Sequence, residues 1–497
     1  MKKLKFPTAQ TILLIIAGLV AILTWIIPSG KFDSLQYHKA ENVFIVTTLQ
    51  SNQTLSATQN TLDSLYIKIP LNKFTSGDIW KPISIPNTYH KVEAKPQGII
   101  AFIQSPIKGI IAAADIIFLV LFIGGLIGIM NYTGAFDAGI SWLAETLKGK
   151  EFVLIILVTV LIAIGGTTFG LAEETIAFYP ILIPIFLAAK YDAMVALACI
   201  YLGSSIGTMC STTNPFSTII ASDAAGINWT TGLTSRFIML VLGTLICIIY
   251  TLRYAQQVKK DPSKSVIYSQ KAAIETMFGN STNSTVKLST RLRIILFVFA
   301  MSFVIMIYGV SQLEWWFLEM TVVFLVGAVL IGFLAKIDEY TFVDLFVKGA
   351  SELLGVAIII GIARGITVLM EDGQISDTLL YYASNATNGM NKGVFINAML
   401  FIYSGLSFFI PSSSGMAVLT MPIMSPLGDG IGIGRELIVN AYQYGMGLFA
   451  FINPTGLILA SLAIVKVGYN KWLKFVMPLV IILLAFTMLV LTISVYL

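Results

Sequence analysis

Two polar interruptions carry the chemistry that this sequence offers. The first, Thr208-Met-Cys-Ser-Thr-Thr-Asn-Pro-Phe216, lies inside residues 193–222, and the second, Phe451-Ile-Asn-Pro-Thr-Gly456, lies inside 437–465. Neither run holds a charged residue, and each is long enough to cross a bilayer. Yet proline offers no backbone N–H, and the small polar residues beside it make poor lipid-facing surface. Freed backbone groups at membrane depth persist only inside protein or against a wet cavity. Asn-Pro therefore marks two broken helices. A matched pair of breaks in the two halves of a chain points to a transporter's binding site.

Two further runs pose a length problem. Residues 152–189 are apolar apart from Glu173 and Glu174, and residues 393–428 are uncharged. A straight helix over 152–189 would reach about 57 Å at 1.5 Å per residue, well past a hydrocarbon core of about 30 Å. Two complete crossings would leave almost nothing for a turn. Gly165-Gly-Thr-Thr-Phe-Gly170 and Ile410-Pro-Ser-Ser-Ser-Gly415 sit mid-run and are poor helix formers. Each run is expected to be a re-entrant hairpin whose tip stops partway across.

Tips and breaks bring free N–H and C=O groups to one depth. Helix N-termini suit a substrate carboxylate, and exposed carbonyls and hydroxyls suit Na+. The expected substrate ligands are Thr167, Thr168, Glu173, Glu174 and Asn214 at one centre, with Ser412, Ser413, Ser414 and Asn453 at its mirror. Ser211, Thr212, Thr213 and Thr455 are the expected ion ligands. The competing reading is plain packing, because Ser and Thr are common between membrane helices. Glu173, Glu174 and Arg364 sit where charge is expensive, so each should face protein or water. A glutamate there can bind a cationic side chain or carry a proton. Arg364 can hold an anionic substrate, or lock onto Glu173 or Glu174.

The elements that position these residues follow from composition. Of 497 residues, 56% are hydrophobic and 11% charged, with a net charge of +5. Such a chain is a polytopic membrane protein. Cys199, Cys210 and Cys247 lie in apolar segments and predict no disulfide framework, and no Walker loop or metal motif occurs. Neither His38 nor His90 carries a role. No cofactor and no nucleic acid partner is expected, and no metal beyond Na+. The spans lack Ser-His, paired Asp or His-rich sets, so the protein is not expected to be an enzyme.

Read in order, residues 1–30 hold a first span behind Lys2, Lys3 and Lys5, with the N-terminus inside. Residues 31–97 form a polar insertion in which 42–48 and 65–70 look like strands, hence a small β-containing periplasmic flap. Residues 98–252 open with an amphipathic interfacial helix at 98–114, then a span at 116–136, the hairpin 152–189, the broken helix 193–222 and a span at 237–252. The loop 253–293 carries eight Lys/Arg and two Asp/Glu, which places it in the cytoplasm. Residues 294–497 hold spans at 294–310 and 315–334, a second interfacial segment at 336–349, a span at 353–370, the hairpin 393–428, the broken helix 437–465 and a last span at 475–496. That makes nine full crossings and two hairpins. Lys148, Lys150, Lys471 and Lys474 fall inside and the C-terminus falls in the periplasm.

The halves align near one offset. Lys108-Gly109 matches Lys348-Gly349, Gly134 matches Gly373, and Pro180 and Pro184 match Pro422 and Pro426. Asn214-Pro215 matches Asn453-Pro454, and Ala221-Ser222 matches Ala460-Ser461. This predicts an internal repeat, and by the crossing count the first hairpin enters from the cytoplasm and the second from outside, so the repeats are inverted.

The order of interfacial helix, span, hairpin and broken helix, given twice, resembles the ion transporter superfamily. Gly165-Gly-Thr-Thr-Phe-Gly-Leu-Ala-Glu-Glu-Thr175, Gly361-Ile-Ala-Arg-Gly-Ile366, Glu371-Asp-Gly373, Ile410-Pro-Ser-Ser-Ser-Gly415 and the Asn-Pro pair resemble, more closely, the YfcC-like members of the DcuC (C4-dicarboxylate anaerobic carrier) family. The resemblance implies a homodimeric secondary carrier in the bacterial inner membrane that works as an elevator, with Na+ or H+ as candidate coupling ions. The spans 116–136 and 353–370 are assigned to the moving part. The family name implies dicarboxylates, whereas close relatives are labelled basic amino acid antiporters. Gly-Thr-Thr and Ser-Ser-Ser replace the Ser-Asn-Thr tips of the divalent anion symporters. A carboxylate near the site would repel a dicarboxylate, which favours a basic amino acid, exchanged or ion-coupled. An organic anion carrier and, from another class, an ion channel whose filter the polar breaks would form are the alternatives.

Overall fold

The computed structural model describes residues 7–497 except 78, 80, 147–149, 279–287, 314 and 388. Lys2, Lys3, Lys5, Lys148 and part of the basic loop therefore lie outside the described residues. Helix α1 (Ala9–Ile26) starts on the Thr8 side chain, which accepts from the Thr11 N–H. The insertion follows as β1 (Gly30–Lys31), β2 (Ser34–His38), β3 (Val43–Thr47), β4 (Asn52–Ser56), α2 (Gln59–Ser64), α3 (Leu71–Thr75), β5 (Ile83–Ser84) and β6 (His90–Lys91). A four-stranded antiparallel sheet has the order β4-β3-β2-β5, and β1 pairs with β6. Alternation along β3 buries Phe44 and Val46. The stretch 65–70 is not the expected strand. Tyr66 adopts a left-handed φ of 57°, and Pro70 has no N–H to give a ladder.

The first half then runs α4 (Ile99–Ala112), α5 (Ala114–Thr133), α6 (Ala135–Thr146), α7 (Phe152–Phe169), a 3₁₀ turn Glu173–Phe178, α8 (Tyr179–Ala188), α9 (Ala193–Met209), a π turn Pro215–Ile219, α10 (Ile220–Ala224) and α11 (Leu233–Lys260). Next come α12 (Lys271–Phe278), α13 (Thr290–Gln312) and α14 (Phe317–Leu334). The second half is α15 (Glu339–Glu352), α16 (Leu354–Asp372), α17 (Ser376–Asn385), α18 (Lys392–Phe409), α19 (Ser413–Gly430), α20 (Arg435–Ala450), α21 (Ile458–Val465) and α22 (Tyr469–Tyr496). The order from α4 to α11 thus recurs from α15 to α22. Helix α11 continues eight residues past the expected end of its span, so the basic loop begins later than 253.

Among the described residues nine helices are long and apolar enough to cross a membrane: α1, α5, α7, α11, α13, α14, α16, α18 and α22. The number equals the expected crossings, but the membership differs. Helices α7 and α18 are the first arms of the expected hairpins, while α9 and α20, from the broken spans, reach 17 and 16 residues. Leu14, Phe118, Leu161, Phe237 and Phe333 are exposed on these helices and form the apolar outer face a bilayer covers.

Packing sorts the helices into two sets. In one, α4 crosses α16, α15 crosses α5, and α1 and α14 lean on this group. The aligned glycines sit at the crossings. A Cβ on Gly109 would strike the Gly361 carbonyl and Gly365, and one on Gly349 would strike the Gly124 carbonyl and Gly128. In the other set, α7 lies along α9, α18 along α20, and α9 meets α20. The spans α5 and α16 pack chiefly with α1, α4, α14 and α15, while α5 also meets the 3₁₀ turn Glu173–Phe178 and α16 meets α21. Helices α4 and α15 hold them through backbone-close contacts that only glycine allows.

Candidate transport site

Helix α7 ends at Phe169, and its last carbonyls have no partner further along the helix. The first break supplies partners. Asn214 Nδ2 donates to the Gly166 carbonyl at 3.5 Å and Thr213 Oγ1 to that of Thr168 at 3.3 Å. The Thr212 and Thr213 N–H groups both donate to the Thr167 carbonyl at 3.1 Å. In return Thr167 Oγ1 donates to the Cys210 carbonyl at 3.0 Å and accepts from the Thr212 N–H at 2.9 Å. Gly170 closes the tip with a φ of +79°, and a Cβ there would stand 2.8 Å from Asn214 Nδ2. Thr168 spends its hydroxyl on the Ile164 carbonyl of its own helix.

The second centre repeats this pattern. Asn453 Nδ2 donates to the Ser407 carbonyl and Thr455 Oγ1 to that of Phe408, each at 3.0 Å, where α18 ends. Both asparagines also turn the chain through the same contact: Phe216 N–H donates to Asn214 Oδ1 at 2.8 Å, and Thr455 N–H to Asn453 Oδ1 at 3.0 Å. Asn-Pro is thus a turn and a clamp at once. A hydroxyl that donates to a carbonyl keeps its lone pairs, so Thr212, Thr213 and Thr455 retain acceptor capacity for a cation.

Consecutive residues of α20 join the two centres. Tyr442 Oη donates to the Ser413 carbonyl at 2.8 Å, on the second tip. Gln443 Nε2 donates to Thr218 Oγ1, which is bonded to Ser211 in the first break. Ser412 caps α19, accepting from the Gly415 N–H at 3.2 Å, so the positive end of an 18-residue helix begins at Ser413 and Ser414.

Charge divides between the tips. Glu173 and Glu174 open the 3₁₀ turn after the first tip, and Glu174 Oε2 accepts from the Ala172 N–H at 3.1 Å. Glu174 is buried, and Asp115 on α5 lies near enough to Glu173 to repel it. Neither glutamate pairs with Arg364, so the expected lock is absent; among the described residues Arg364 makes no hydrogen bond or ion pair. At the second tip the insertion contributes a residue that sequence reasoning passed over. Lys81 Nζ donates to Ser414 Oγ at 2.8 Å, and Arg364 is close enough to lower its pKa after burial does. The signal was a lone lysine next to the apolar Ile83 and Ile85 in a segment otherwise read as a variable flap.

Comparison with known proteins follows the same lines. Residues 6–496 match the profile of the DcuC family, described as C4-dicarboxylate anaerobic carrier. An uncharacterized protein of Haemophilus influenzae is 44% identical over 500 residues, covering 100% of this chain and 98% of its own. The putative basic amino acid antiporter YfcC of Escherichia coli is 29% identical over 488 residues, 94% of this chain and 92% of its own. Two solved transporters share its outline weakly. The YdaH transporter of Alcanivorax borkumensis is 12% identical over 98% of both chains with a TM-score of 0.40. MtrF of Neisseria gonorrhoeae is 14% identical over 99% of this chain and 96% of its own, with a TM-score of 0.42.

Proposed function

The chain belongs to the DcuC family, and from the arrangement of its tips and breaks we propose that it is a secondary active transporter that carries a small amino acid or carboxylate across the bacterial inner membrane by an elevator movement. One observation carries the substrate reading: acidic side chains stand at the first tip, whereas Lys81 and a helix N-terminus stand at the second. A basic amino acid complements that polarity. Its α-carboxylate suits the second tip and its ammonium or guanidinium the first. The description of the Escherichia coli relative as a putative basic amino acid antiporter agrees. The Lys81 ammonium favours a second reading, an organic anion such as a C4-dicarboxylate, coupled to Na+ or H+.

The substrate ligands in this reading are Thr167, Thr168, Glu173, Glu174, Asn214, Arg364, Ser412, Ser413, Ser414 and Asn453, now joined by Lys81. Ser211, Thr212, Thr213 and Thr455 are the ion ligands. The hairpins and broken helices, α7–α10 and α18–α21, form the moving body; α1, α4, α5 and α13–α16 form the frame, and family membership is the ground for a dimer. The inverted topology gains support from the Lys81–Ser414 contact. By the crossing count the insertion and the second tip share the periplasmic side.

Reconstituted protein tests the substrate directly. Uptake and counterflow of arginine, lysine and ornithine are compared with those of succinate, with and without Na+. Glu173→Gln or Glu174→Gln should weaken a basic amino acid by about tenfold, the worth of one charge-assisted contact, and shift its pH profile. Succinate transport with all three basic amino acids inert leaves only the organic anion reading. Single-channel currents in place of saturable uptake would mean a channel.

A further inference from the structure

Away from the tips, Arg236 is the most expensive group without an explanation. It lies on α11 and is fully buried. Its Nη2 donates to the Trp229 carbonyl, but Nε and Nη1 have no partner, and among the described residues no carboxylate lies within ion-pairing distance. A guanidinium cannot shed its charge by deprotonation. A buried cation without a counter-charge is strongly destabilising.

Helix α20 faces it with further unspent donors. Asn440 Nδ2 stands 3.7 Å from where a Cβ of Gly232, one turn before Arg236, would be. Tyr444 lies one turn further along α20, on the same face as Asn440. Asn440 is 1% exposed and Tyr444 0% exposed; the Asn440 amide has no partner, and the Tyr444 hydroxyl lies close to the Ser235 side chain without a well-formed hydrogen bond. The acidic residue on this face, Glu436, lies beside Gly232 and makes no ion pair with Arg236. Three buried side chains thus bring N–H and O–H groups together, one of them charged, and apart from the Trp229 carbonyl no acceptor is bonded to them among the described residues. The neighbouring Gln443 is bonded into the first break, so the cluster lies directly behind it.

We propose that Arg236, Asn440 and Tyr444 form a buried site for one small, singly charged anion. A planar, weakly hydrated cation flanked by neutral donors suits a halide or a carboxylate group. The two sources are chloride from the medium and the carboxylate of a solute. Occupancy would neutralise Arg236 and brace α11 against α20 behind the first break, whichever solute the tips carry.

The test uses the purified full-length protein in lipid nanodiscs, in sulfate buffer of constant ionic strength. Chloride and acetate are titrated separately while thermal unfolding is followed. At least one should raise the unfolding temperature saturably, because a ligand that binds only the folded state stabilises it by mass action. Chloride alone identifies the halide, and acetate alone the carboxylate. Arg236→Met should abolish the rise and, without anion, unfold no earlier than wild type, since the uncompensated charge is gone. Asn440→Leu and Tyr444→Phe should each weaken the anion by about tenfold, the worth of one lost hydrogen bond to a charged group. They also serve if Arg236→Met does not fold. Anomalous diffraction from bromide-soaked crystals locates a halide beside Arg236. A wild type that answers to neither anion, variants that respond like wild type, or a water alone beside Arg236 overturns the site.

Discussion

Lys81 holds the most exacting position in this protein, because its charge acts on a tip more than three hundred residues away in sequence. Burial against the second hairpin, and after it the Arg364 charge, lower its pKa. Only the ammonium form binds an anion. Affinity for a substrate carboxylate should therefore fall as pH rises through that lowered value, before an ordinary lysine would titrate. Lys81→Arg keeps its charge and should push the fall to higher pH, whereas Lys81→Met should abolish it and weaken binding by about tenfold. Stability runs the other way. The unfolded lysine holds its proton more tightly than the folded one, so stability rises as pH climbs through the window between the two pKa values. Uptake and unfolding measured across pH check both signs, and an unchanged affinity in Lys81→Met would detach the insertion from the site. The asparagines were legible in the sequence because Asn-Pro is rare inside an apolar run. Lys81 and Arg236 were not, since neither belongs to a periodic pattern and only tertiary packing gives them neighbours.

Helices and their breaks obey a shared frame. Asn214 and Asn453 each make one contact that turns the chain and one that holds a hairpin carbonyl. Asn→Ala at either position removes both and should cost about 1–3 kcal/mol for each buried group left unpaired. Asn→Asp keeps the turn acceptor but turns a buried carboxylate oxygen toward the hairpin carbonyl, so its loss should be at least as large. Thermal unfolding of the four variants should give matching pairs across the halves; a silent Asn453→Ala would break the equivalence. Run lengths and proline positions made the helix–turn–helix units of 152–189 and 393–428 and the two breaks readable. Helices α6 and α17 were not anticipated, because segments of 12 and 10 residues after a span merge into its apolar signal. The packing of α5 on α15 and of α16 on α4 was not legible for a related reason. Chain order puts them beside the hairpins, but the glycine crossings at Gly109 and Gly349 hold them to the interfacial helices.

At the scale of the molecule, the insertion straddles both helix sets. Its base is rooted on the end of α16, where Ser29 Oγ donates to the Gly373 carbonyl at 2.8 Å, and on α17, where Phe32 N–H donates to Asp377 Oδ2 at 3.0 Å and Tyr89 stacks on Tyr381 at 4.1 Å. Its far side clasps the hairpin set, where Lys73 Nζ lies 2.9 Å from the fully buried carboxylate of Asp223 on α10, and Lys81 meets Ser414 on α19. Moving α10 and α19 past the frame must therefore either break these contacts or carry the insertion along. Breaking them takes a counter-charge from the buried Asp223 carboxylate, at up to about 3–5 kcal/mol. Lys73→Met should impose that cost, lower the unfolding temperature and loosen the clasp, while Asp223→Asn with Lys73→Met should recover much of it. The movement itself is tested by a thiol cross-link between Lys81→Cys and Ser414→Cys, with a second between Ser29→Cys and Gly373→Cys as control. The control joins two parts of the frame and should leave uptake intact. A link at 81–414 ties the frame-rooted insertion to the moving body, so uptake should stop and return on reduction. Full transport in a completely linked 81–414 protein would mean that the insertion travels with the hairpins, or that the hairpins do not travel at all. Linking Ser29→Cys to Gly373→Cys in the same protein separates those outcomes, because that second tether arrests only an insertion that must leave the frame.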